Sequence, residues 1–260
     1  MSPGPERRLL AVAVLGPTAS GKSALALALA KAWGGEIINC DSTAVYRGFD
    51  IGTDKVLEGA RGGIPHHLID IADPTSEYTA AQYARDASAA IREIHARGGV
   101  PLVVGGTGLY FRALTRGLFP GPGKDEGLRR RLDAVAARRG VGALHRMLAR
   151  VDPASARRIE PRDQKRMVRA LEVFFLTGRP LTSHFADTRS LIPDVDVLAI
   201  ALRMPPDQTS ERVMCRVDRQ FERGVVDEVR GLLAAGIPAT ARPFGGLVYR
   251  QVLEYLQGVR

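Results

Sequence analysis

Two features that are nearly absent from this sequence, cysteines and long apolar runs, exclude several classes of protein. The 260 residues include only two cysteines, Cys40 and Cys215, which lie far apart and lack the spacing of a metal site. A disulfide scaffold is therefore excluded, and free thiols suit a reducing cytoplasm. No apolar run is longer than the seven residues of Leu9–Leu15, whereas a membrane-spanning helix needs about 20. We therefore expect a cytoplasmic protein that does not enter a membrane.

The rest of the composition is typical of an ordinary globular chain. Hydrophobic residues make up 45% and charged residues 25% of the sequence, and the mean hydropathy is −0.06. A chain of this length forms one large domain, or a domain with an insertion. Internal repeats and low-complexity tracts are absent, which excludes solenoid and fibrous architectures.

The positive charge of the chain is concentrated in one segment. Residues 1–111 have a net charge of −1, residues 112–190 of +10, and residues 191–260 of 0. A general bias toward arginine would spread the charge over all three segments. The asymmetry therefore favours a polyanion such as a nucleic acid as the partner of the middle segment.

The first third of the chain alternates between short apolar strands and helices, which indicates an α/β fold with a parallel sheet covered on both faces. The predicted strands are Leu9–Leu15, Glu36–Cys40, Leu68–Ile71 and Val100–Val104, and the predicted helices are Ser23–Trp33 and Tyr78–Arg97.

The middle of the chain has a helical pattern only, from Gly127 to Gly178, with breaks at Gly140, Asp152-Pro153 and Glu160-Pro161. A strand at Val197–Leu202 and two further helices then return to the first pattern. This order predicts a helical insertion in an α/β core. The expected divisions are residues 1–120 for the first part of the core, 121–190 for the basic insertion and 191–260 for the second part of the core.

A phosphate-binding loop stands between the first strand and the first helix. The sequence Gly16, Pro17, Thr18, Ala19, Ser20, Gly21, Lys22 and Ser23 fits G-x-x-x-x-G-K-[ST]. In such a loop, backbone amides and a lysine face an anion, and the hydroxyl of Ser23 can ligate Mg²⁺. The loop predicts a phosphate or diphosphate ligand without specifying the reaction.

The usual partners of this loop in nucleotide hydrolases are missing. The strand Val100–Val104 runs into Gly105-Gly106-Thr107-Gly108 rather than an acidic residue, which leaves Asp70 as the other candidate for holding a metal. The guanine-reading sequence Asn-Lys-x-Asp does not occur, which argues against a GTPase. Asp41 follows the second strand, where a carboxylate can accept a proton from an attacking nucleophile. The alternative for Asp41 is a helix cap or turn.

Several runs of residues together resemble the tRNA dimethylallyltransferases, also called tRNA isopentenyltransferases. They are GPTASGKS at Gly16–Ser23, DSTAVYRGFDIGTDK at Asp41–Lys55, PHHLIDIADP at Pro65–Pro74, GGTGLY at Gly105–Tyr110 and RALEVFFLTG at Arg169–Gly178.

The resemblance implies a P-loop nucleoside-triphosphate-hydrolase-like core that transfers a dimethylallyl group from dimethylallyl diphosphate to N6 of the adenine at position 37, beside the anticodon of tRNA. It implies that the eight loop residues hold the diphosphate with Mg²⁺, with Ser23 as a metal ligand. Asp41 and Thr107 are the implied catalytic residues, and the anticodon stem-loop is the implied partner of a monomer. The implied tRNA-binding residues are Asp41, Ser42, Thr43, Ala44, Thr107, Arg129, Lys165, Arg166, Met167, Val168 and Arg169.

The sequence departs from the family at several positions. Ala44 stands where glutamine is common, and a late Arg-x-x-x-Arg pattern is represented by Arg216 and Gln220. The chain ends at Arg260, before a basic helix that the resemblance leads us to expect. The adjacent histidines His66 and His67 would point to opposite faces of a strand. We therefore expect them to have a structural or substrate-channel role rather than to bind one metal together.

Three other functions stay open at this point. A small-molecule P-loop kinase would use ATP and Asp41, and an adenylate isopentenyltransferase would act on free nucleotides. A tRNA-binding homologue with weakened catalysis would explain the departures near the end of the chain. The basic middle segment argues against the first two, and the presence of Lys22, Ser23, Asp41 and Thr107 argues against the third.

Overall fold

The computed structural model describes residues 8–259, and the chain forms two compact units. The core unit comprises Met1–Thr115 and Leu191–Arg260, and the helical unit comprises Arg116–Ser190. The expected boundary at residue 121 lies five residues beyond the first division, which coincides with the end of a helix at Arg116. No helix in the described part of the chain is long and apolar enough to cross a membrane.

A five-stranded parallel sheet forms the centre of the core unit. Its strand order is β3-β2-β4-β1-β5. The strands are β1 (Leu9–Leu15), β2 (Gly35–Cys40), β3 (His66–His67), β4 (Val100–Gly105) and β5 (Val195–Ala201). Within the register, Leu15 and Cys40 are both paired with Gly105, so that β1, β2 and β4 end level with one another.

Ten α-helices accompany the sheet within residues 8–259. They are α1 (Lys22–Trp33), α2 (Ala80–Ala96), α3 (Gly108–Arg116), α4 (Glu126–Arg139), α5 (Val141–Val151), α6 (Pro153–Arg158), α7 (Gln164–Thr177), α8 (Pro206–Glu222), α9 (Val225–Ala234) and α10 (Leu247–Leu256). The bounds of α2 follow from local chemistry, because Thr79 and Gln82 form a capping box at its start.

Both faces of the sheet are buried at β1, β2 and β4, which explains why these strands are continuously apolar, whereas the edge strand β5 is largely exposed. Alternate residues point to opposite sides: Ala11 and Val103 belong to one buried cluster, whereas Val12 and Leu102 belong to another. A parallel sheet between two helical layers has no polar face, so period-two alternation is absent from its sequence. The α/β architecture is therefore as predicted.

The predicted strand at Leu68–Ile71 is wrong. Pairing in that region is confined to His66–His67, and the chain then turns through left-handed conformations at Leu68 (φ 61°) and Asp70 (φ 57°). The side-chain amide of Asn39 donates to the carbonyl of Leu68 at 2.9 Å, and the ammonium of Lys55 lies 2.5 Å from the carboxylate of Asp70. These side-chain interactions replace the strand ladder, so apolar patterning alone could not reveal the turn.

The helical unit packs α4, α5, α6 and α7 around its own apolar core, which includes Leu144, Leu148 and Leu171. Its helices break where the sequence predicts, at Gly140 (φ 75°) and before Pro153. The carboxylate of Asp152 caps α6 by accepting bonds from the amide and hydroxyl of Ser155 at 2.9 and 2.7 Å.

Asp152 also joins two segments of the helical unit. It accepts bonds from the amide and hydroxyl of Thr182 at 3.0 and 2.8 Å. Burial acts to raise the pKa of Asp152, but these bonds outweigh it and lower the pKa. A carboxylate with four donors is therefore stably ionised within the unit.

We expect Asp152→Ala to destabilise the helical unit by about 3 kcal/mol, because two buried donors of Ser155 and two partly buried donors of Thr182 lose their acceptor. Urea unfolding followed by circular dichroism measures the change. Asp227→Ala is the control, since Asp227 is exposed and forms a surface ion pair with Arg230. Equal losses in the two variants would contradict the proposed importance of this carboxylate.

Candidate active site

The level strand ends bring three loops together around one cavity of about 440 Å³. The loops follow β1, β2 and β4, and ligand sites in parallel sheets lie at this carboxyl edge. The residues lining the cavity are Gly16, Pro17, Thr18, Lys22, Ser23, Ile37, Asn39, Asp41, Ala44, Thr53, Asp54, Lys55, Val56, His66, Ile69, Val104, Gly105, Gly106, Thr107 and Arg216.

The loop after β1 has the backbone of an anion site. Gly16 approaches Leu202 so closely that a Cβ there would lie 2.9 Å from the Leu202 carbonyl oxygen. Left-handed conformations at Ala19 (φ 62°) and Gly21 (φ 86°) turn the chain into α1. No side chain in the described residues caps α1. Its first amides are therefore available to an anion, as the sequence pattern predicts.

Lys22 projects into this cavity. Its ammonium donates to the carbonyl of Pro17 at 2.5 Å. Burial and the positive charge of Arg216 lower the pKa of Lys22, while the carboxylate of Asp41 acts in the opposite direction. Lys22 and Arg216 thus bring two positive charges to a cavity that is also lined by Asp41, Asp54 and the almost fully buried Lys55. The basic residues of the cavity outnumber the acidic ones, which suits an anionic ligand.

Arg216, on α8, is a cavity residue that was absent from the predicted set. Its guanidinium donates to the carbonyl of Thr53 at 3.0 Å, and its Nε lies 3.6 Å from a carboxylate oxygen of Asp54. The sequence offered one signal for Arg216, which is its position as the first arginine of the family's Arg-x-x-x-Arg pattern, whose second arginine is replaced here by Gln220. Gln220, at the second position of that pattern, is buried and donates to the carbonyl of Gly52 at 3.1 Å.

Asp41 forms a turn and also lines the cavity. One oxygen, Oδ1, accepts bonds from the amides of Thr43 and Ala44 at 2.8 and 3.2 Å, which is a turn geometry. The other oxygen has no hydrogen-bond partner among residues 8–259, and Asp41 lines the cavity. The turn therefore fixes the carboxylate while leaving one oxygen for a ligand.

Thr107 ties the ends of β2 and β4 together. Its amide donates to the carbonyl of Cys40 at 3.1 Å, and its hydroxyl oxygen accepts a bond from the amide of Ser42 at 3.0 Å. Ala44 is buried at the cavity wall. The predicted residues from Asp41 to Ala44 are thus collected near Thr107.

A second cavity of about 780 Å³ adjoins the first and shares Thr18, Asp41, Thr53 and Arg216 with it. Its other walls come mainly from apolar side chains of α8 and α10, and it also includes Thr43. The shared residues make a continuous space that is polar beside the phosphate loop and apolar farther along.

The two histidines of β3 separate as strand geometry requires. His66 lines the first cavity and bonds to the carbonyl of Ile64 at 2.8 Å, whereas His67 lies 2.6 Å from the carboxylate of Glu36. Burial lowers the pKa of His66. Within residues 8–259, no cluster of three or more His, Cys, Asp or Glu residues could hold a metal ion.

The predicted tRNA-binding residues of α7 differ in their exposure. The side chains of Met167 and Val168 are buried in the core of the helical unit and help to pack α7. Sequence spacing did not show which face of α7 is covered. Lys165 and Arg166 are exposed.

Arg129 and Arg169 both donate hydrogen bonds to a carboxylate within the helical unit. Arg129 makes two bonds of 2.7 and 2.8 Å to the carboxylate of Glu172, and Arg169 makes one of 2.7 Å. The side chain of Glu172 is fully buried, whereas both arginines are partly exposed. One carboxylate thus orients two guanidinium groups.

Another network missed in the sequence centres on Lys55. Its ammonium is almost fully buried and contacts the carbonyl of Tyr46 and the carboxylates of Asp50 and Asp70, at 2.6, 2.7 and 2.5 Å. In the sequence, Lys55 is the last residue of the family-like run Asp41–Lys55, and nothing in the sequence shows that it is buried.

Comparisons with known proteins all lead to one family. The family model described as IPP transferase matches residues 44–260. A tRNA dimethylallyltransferase of Geobacter metallireducens is 49% identical over 253 residues, covering 97% of this chain and 82% of the relative. One from Thermomicrobium roseum is 48% identical, covering 97% and 76% respectively.

Solved structures agree with the sequence relatives. The full-length tRNA isopentenylpyrophosphate transferase of Bacillus halodurans is similar with a TM-score of 0.66 and 38% identity, covering 98% of this chain and 79% of that one. A eukaryotic dimethylallyltransferase acting on tRNA gives a TM-score of 0.73 and 28% identity, with coverages of 96% and 63%. Both likenesses support a P-loop NTPase-like core.

The buried carboxylate of Glu172 should make the helical unit sensitive to acid. Burial acts to raise its pKa, but the guanidinium groups of Arg129 and Arg169 hold the pKa of Glu172 at about 2, below the ordinary 4.5. The resulting stability is present above pH 4.5 and is lost as the pH falls toward 2.

Glu172→Gln should therefore lower the free energy of unfolding by about 3 kcal/mol at pH 7, and the difference should shrink between pH 4.5 and 2. Urea titrations across that range measure it, with Glu126→Gln on the exposed start of α4 as control. A difference that stays constant with pH would contradict this role.

Proposed function

The chain belongs to the IPP transferase family, and we propose that it transfers the dimethylallyl group of dimethylallyl diphosphate to N6 of adenine 37, next to the anticodon in tRNA. The observation that carries the proposal is the convergence of the phosphate loop, Asp41 and Thr107 on one cavity. The loop supplies a site for the leaving group, and Asp41 supplies a base beside it.

The leaving diphosphate is the part of the substrate that this cavity is best suited to hold. The loop amides, Lys22 and Arg216 surround one space with positive charge and hydrogen-bond donors. An allylic carbon–oxygen bond breaks with both electrons leaving on the diphosphate. Fixed donors aimed at that developing charge lower the barrier without reorganising during the reaction.

The residues present also fit a magnesium ion. The hydroxyl of Ser23 and the carboxylate of Asp41 line the cavity that holds Lys22, and hard divalent cations prefer oxygen ligands. Ser23 is the residue proposed to hold the ion, which would neutralise further charge on the diphosphate.

Asp41 is the proposed proton acceptor. The adenine nitrogen N6 forms a bond to the allylic carbon and must then lose one proton, which the unpaired oxygen of Asp41 can accept. The two amide bonds to Oδ1 hold the carboxylate in place. Thr107 is proposed to position the nucleotide, because its bonds to Cys40 and Ser42 hold it at the strand ends.

The helical unit is proposed to bind the anticodon stem-loop. Residues 112–190 have a net charge of +10, and phosphate contacts from basic side chains provide affinity and register. Lys165 and Arg166 are exposed for such contacts. The side chains of Arg129 and Arg169 are partly exposed, and their bonds to Glu172 orient them. Binding energy of this kind can offset the few kcal/mol needed to extrude a stacked base.

We further propose that the protein acts in the cytoplasm as a monomer. The groups that the proposed chemistry uses, namely the phosphate loop, Asp41 and Thr107, line one cavity within a single copy of the chain. Light scattering at micromolar concentration measures the oligomeric state, and a stable dimer would contradict the monomer.

The decisive experiment is mass spectrometry of nucleosides from unmodified tRNA incubated with the protein, dimethylallyl diphosphate and Mg²⁺ without ATP. N6-dimethylallyl adenosine is the expected product. Bound but unmodified tRNA would favour the tRNA-binding homologue, and product from free adenosine monophosphate would favour an adenylate isopentenyltransferase. Consumption of ATP without tRNA binding would favour the kinase.

Asp41→Ala should abolish transfer because the alkylated nitrogen loses its proton acceptor, while the Kd for tRNA changes by only a few fold. Single-turnover assays and filter binding measure the two quantities. Asp73→Ala, outside both cavities, is the control. Near-normal turnover by Asp41→Ala would remove this residue from the mechanism.

Replacing Lys165 and Arg166 together by alanine should weaken tRNA binding about tenfold and reduce the slope of log K against log salt by about 1.5, because two phosphate contacts are lost. Lys31→Ala with Arg85→Ala is the matched control, since both residues are exposed in the core unit. An unchanged slope would argue against this binding surface.

A further inference from the structure

Residues 50–54, called the 50–54 loop below, connect three helices of the core unit to the phosphate cavity. The carboxylate of Glu228 on α9 accepts bonds from the amides of Asp50 and Ile51 at 3.1 and 2.7 Å. The hydroxyl of Tyr249 on α10 donates to Glu228 at 2.5 Å and accepts a bond from the amide of Gly52 at 3.0 Å. These two side chains therefore fix three consecutive amides.

The fit between this pair and the loop is close. A Cβ on Gly52 would lie 2.6 Å from the ring of Tyr249, so only glycine permits the contact. The ring of Tyr249 is almost fully buried and packs edge-on against Phe49 at a centroid distance of 4.8 Å. Burial raises the pKa of Tyr249, so its hydroxyl remains a donor to Glu228.

The other side of the 50–54 loop faces α8. The carbonyl of Thr53 accepts a bond from Arg216 at 3.0 Å, and the carboxylate of Asp54 lies 3.6 Å from the Nε of Arg216. Asp54 has a left-handed backbone (φ 56°) and also accepts a bond from Arg223 at 3.0 Å. The loop thus uses its amides toward α9 and α10 and its acceptors toward α8.

Arg216 depends on this loop for its orientation. Thr53 and Asp54 are its only hydrogen-bond and ion-pair partners within residues 8–259, and its guanidinium reaches the cavity that holds Lys22. Within residues 8–259, Glu228 and Tyr249 make no hydrogen bond or ion pair to Arg216. Both bond to the 50–54 loop, and the loop bonds to Arg216, so the loop links the two side chains to the anion site.

We propose that Glu228 and Tyr249 are positioning residues that hold Arg216 toward the diphosphate by fixing the 50–54 loop. The inference rests on the proposed function for the identity of the anion. If the loop is released, Arg216 loses its fixed acceptors and spreads over several rotamers. Diphosphate binding then carries the entropic cost of ordering it again.

The first test measures binding of inorganic diphosphate with Mg²⁺ by isothermal titration calorimetry. Glu228→Gln and Tyr249→Phe should each weaken binding about fivefold to tenfold, and the KM for dimethylallyl diphosphate should rise by a similar factor, more than kcat falls. Asp227→Asn, an exposed neighbour on α9, is the control. Unchanged diphosphate affinity in both variants would overturn the proposal.

The second test separates positioning from a general loss of structure. In a background of Arg216→Ala, adding either substitution should change diphosphate affinity by less than twofold, because the group being positioned is gone. Full, additive losses in that background would overturn the proposal. If Glu228→Gln does not fold, Tyr249→Phe, which retains the packed ring, is sufficient to test whether the loop positions Arg216. Diphosphate binding requires no tRNA, so a failure of dimethylallyl transfer leaves this result interpretable.

Discussion

The structure depends first on the close approach of β2 and β4 at their carboxyl ends. A Cβ on Gly105 would lie 2.2 Å from the carbonyl oxygen of Cys40, so a larger residue would push the two strands apart. The same pair of strands is followed by Asp41 and by Thr107, whose amide bonds to Cys40 at 3.1 Å. The distance between the proposed base and the nucleotide-positioning hydroxyl is therefore set by one glycine in the sheet.

Charge is used in two distinct ways in the two units. In the core unit a few cations line one cavity. Burial disfavours the charged form of these groups, and it already lowers the pKa of Lys22. In the helical unit arginines are numerous, and a single fully buried carboxylate, Glu172, orients two of them. An anion of defined size suits the first arrangement, and an extended polyanion suits the second.

Sequence reasoning predicted the features that depend on short segments. The phosphate loop, the apolar strands and the helix breaks at Gly140 and Pro153 are each encoded within a few residues. The turn after β3 and the partners of Arg216 were missed because they depend on contacts between residues far apart in the chain, such as Asn39 with Leu68. The burial of Met167 was missed because the helical periodicity of α7 does not show which of its faces the other helices of the unit cover.

The contact between Lys22 and the carbonyl of Pro17 has a consequence for ligand discrimination. A lysine ammonium has three N–H donors, and within residues 8–259 the carbonyl of Pro17 occupies one of them. This bond fixes the direction of the ammonium and leaves two donors for an anion beside the loop. Their attraction to the anion grows with each added negative charge, which favours a diphosphate over a monoanion.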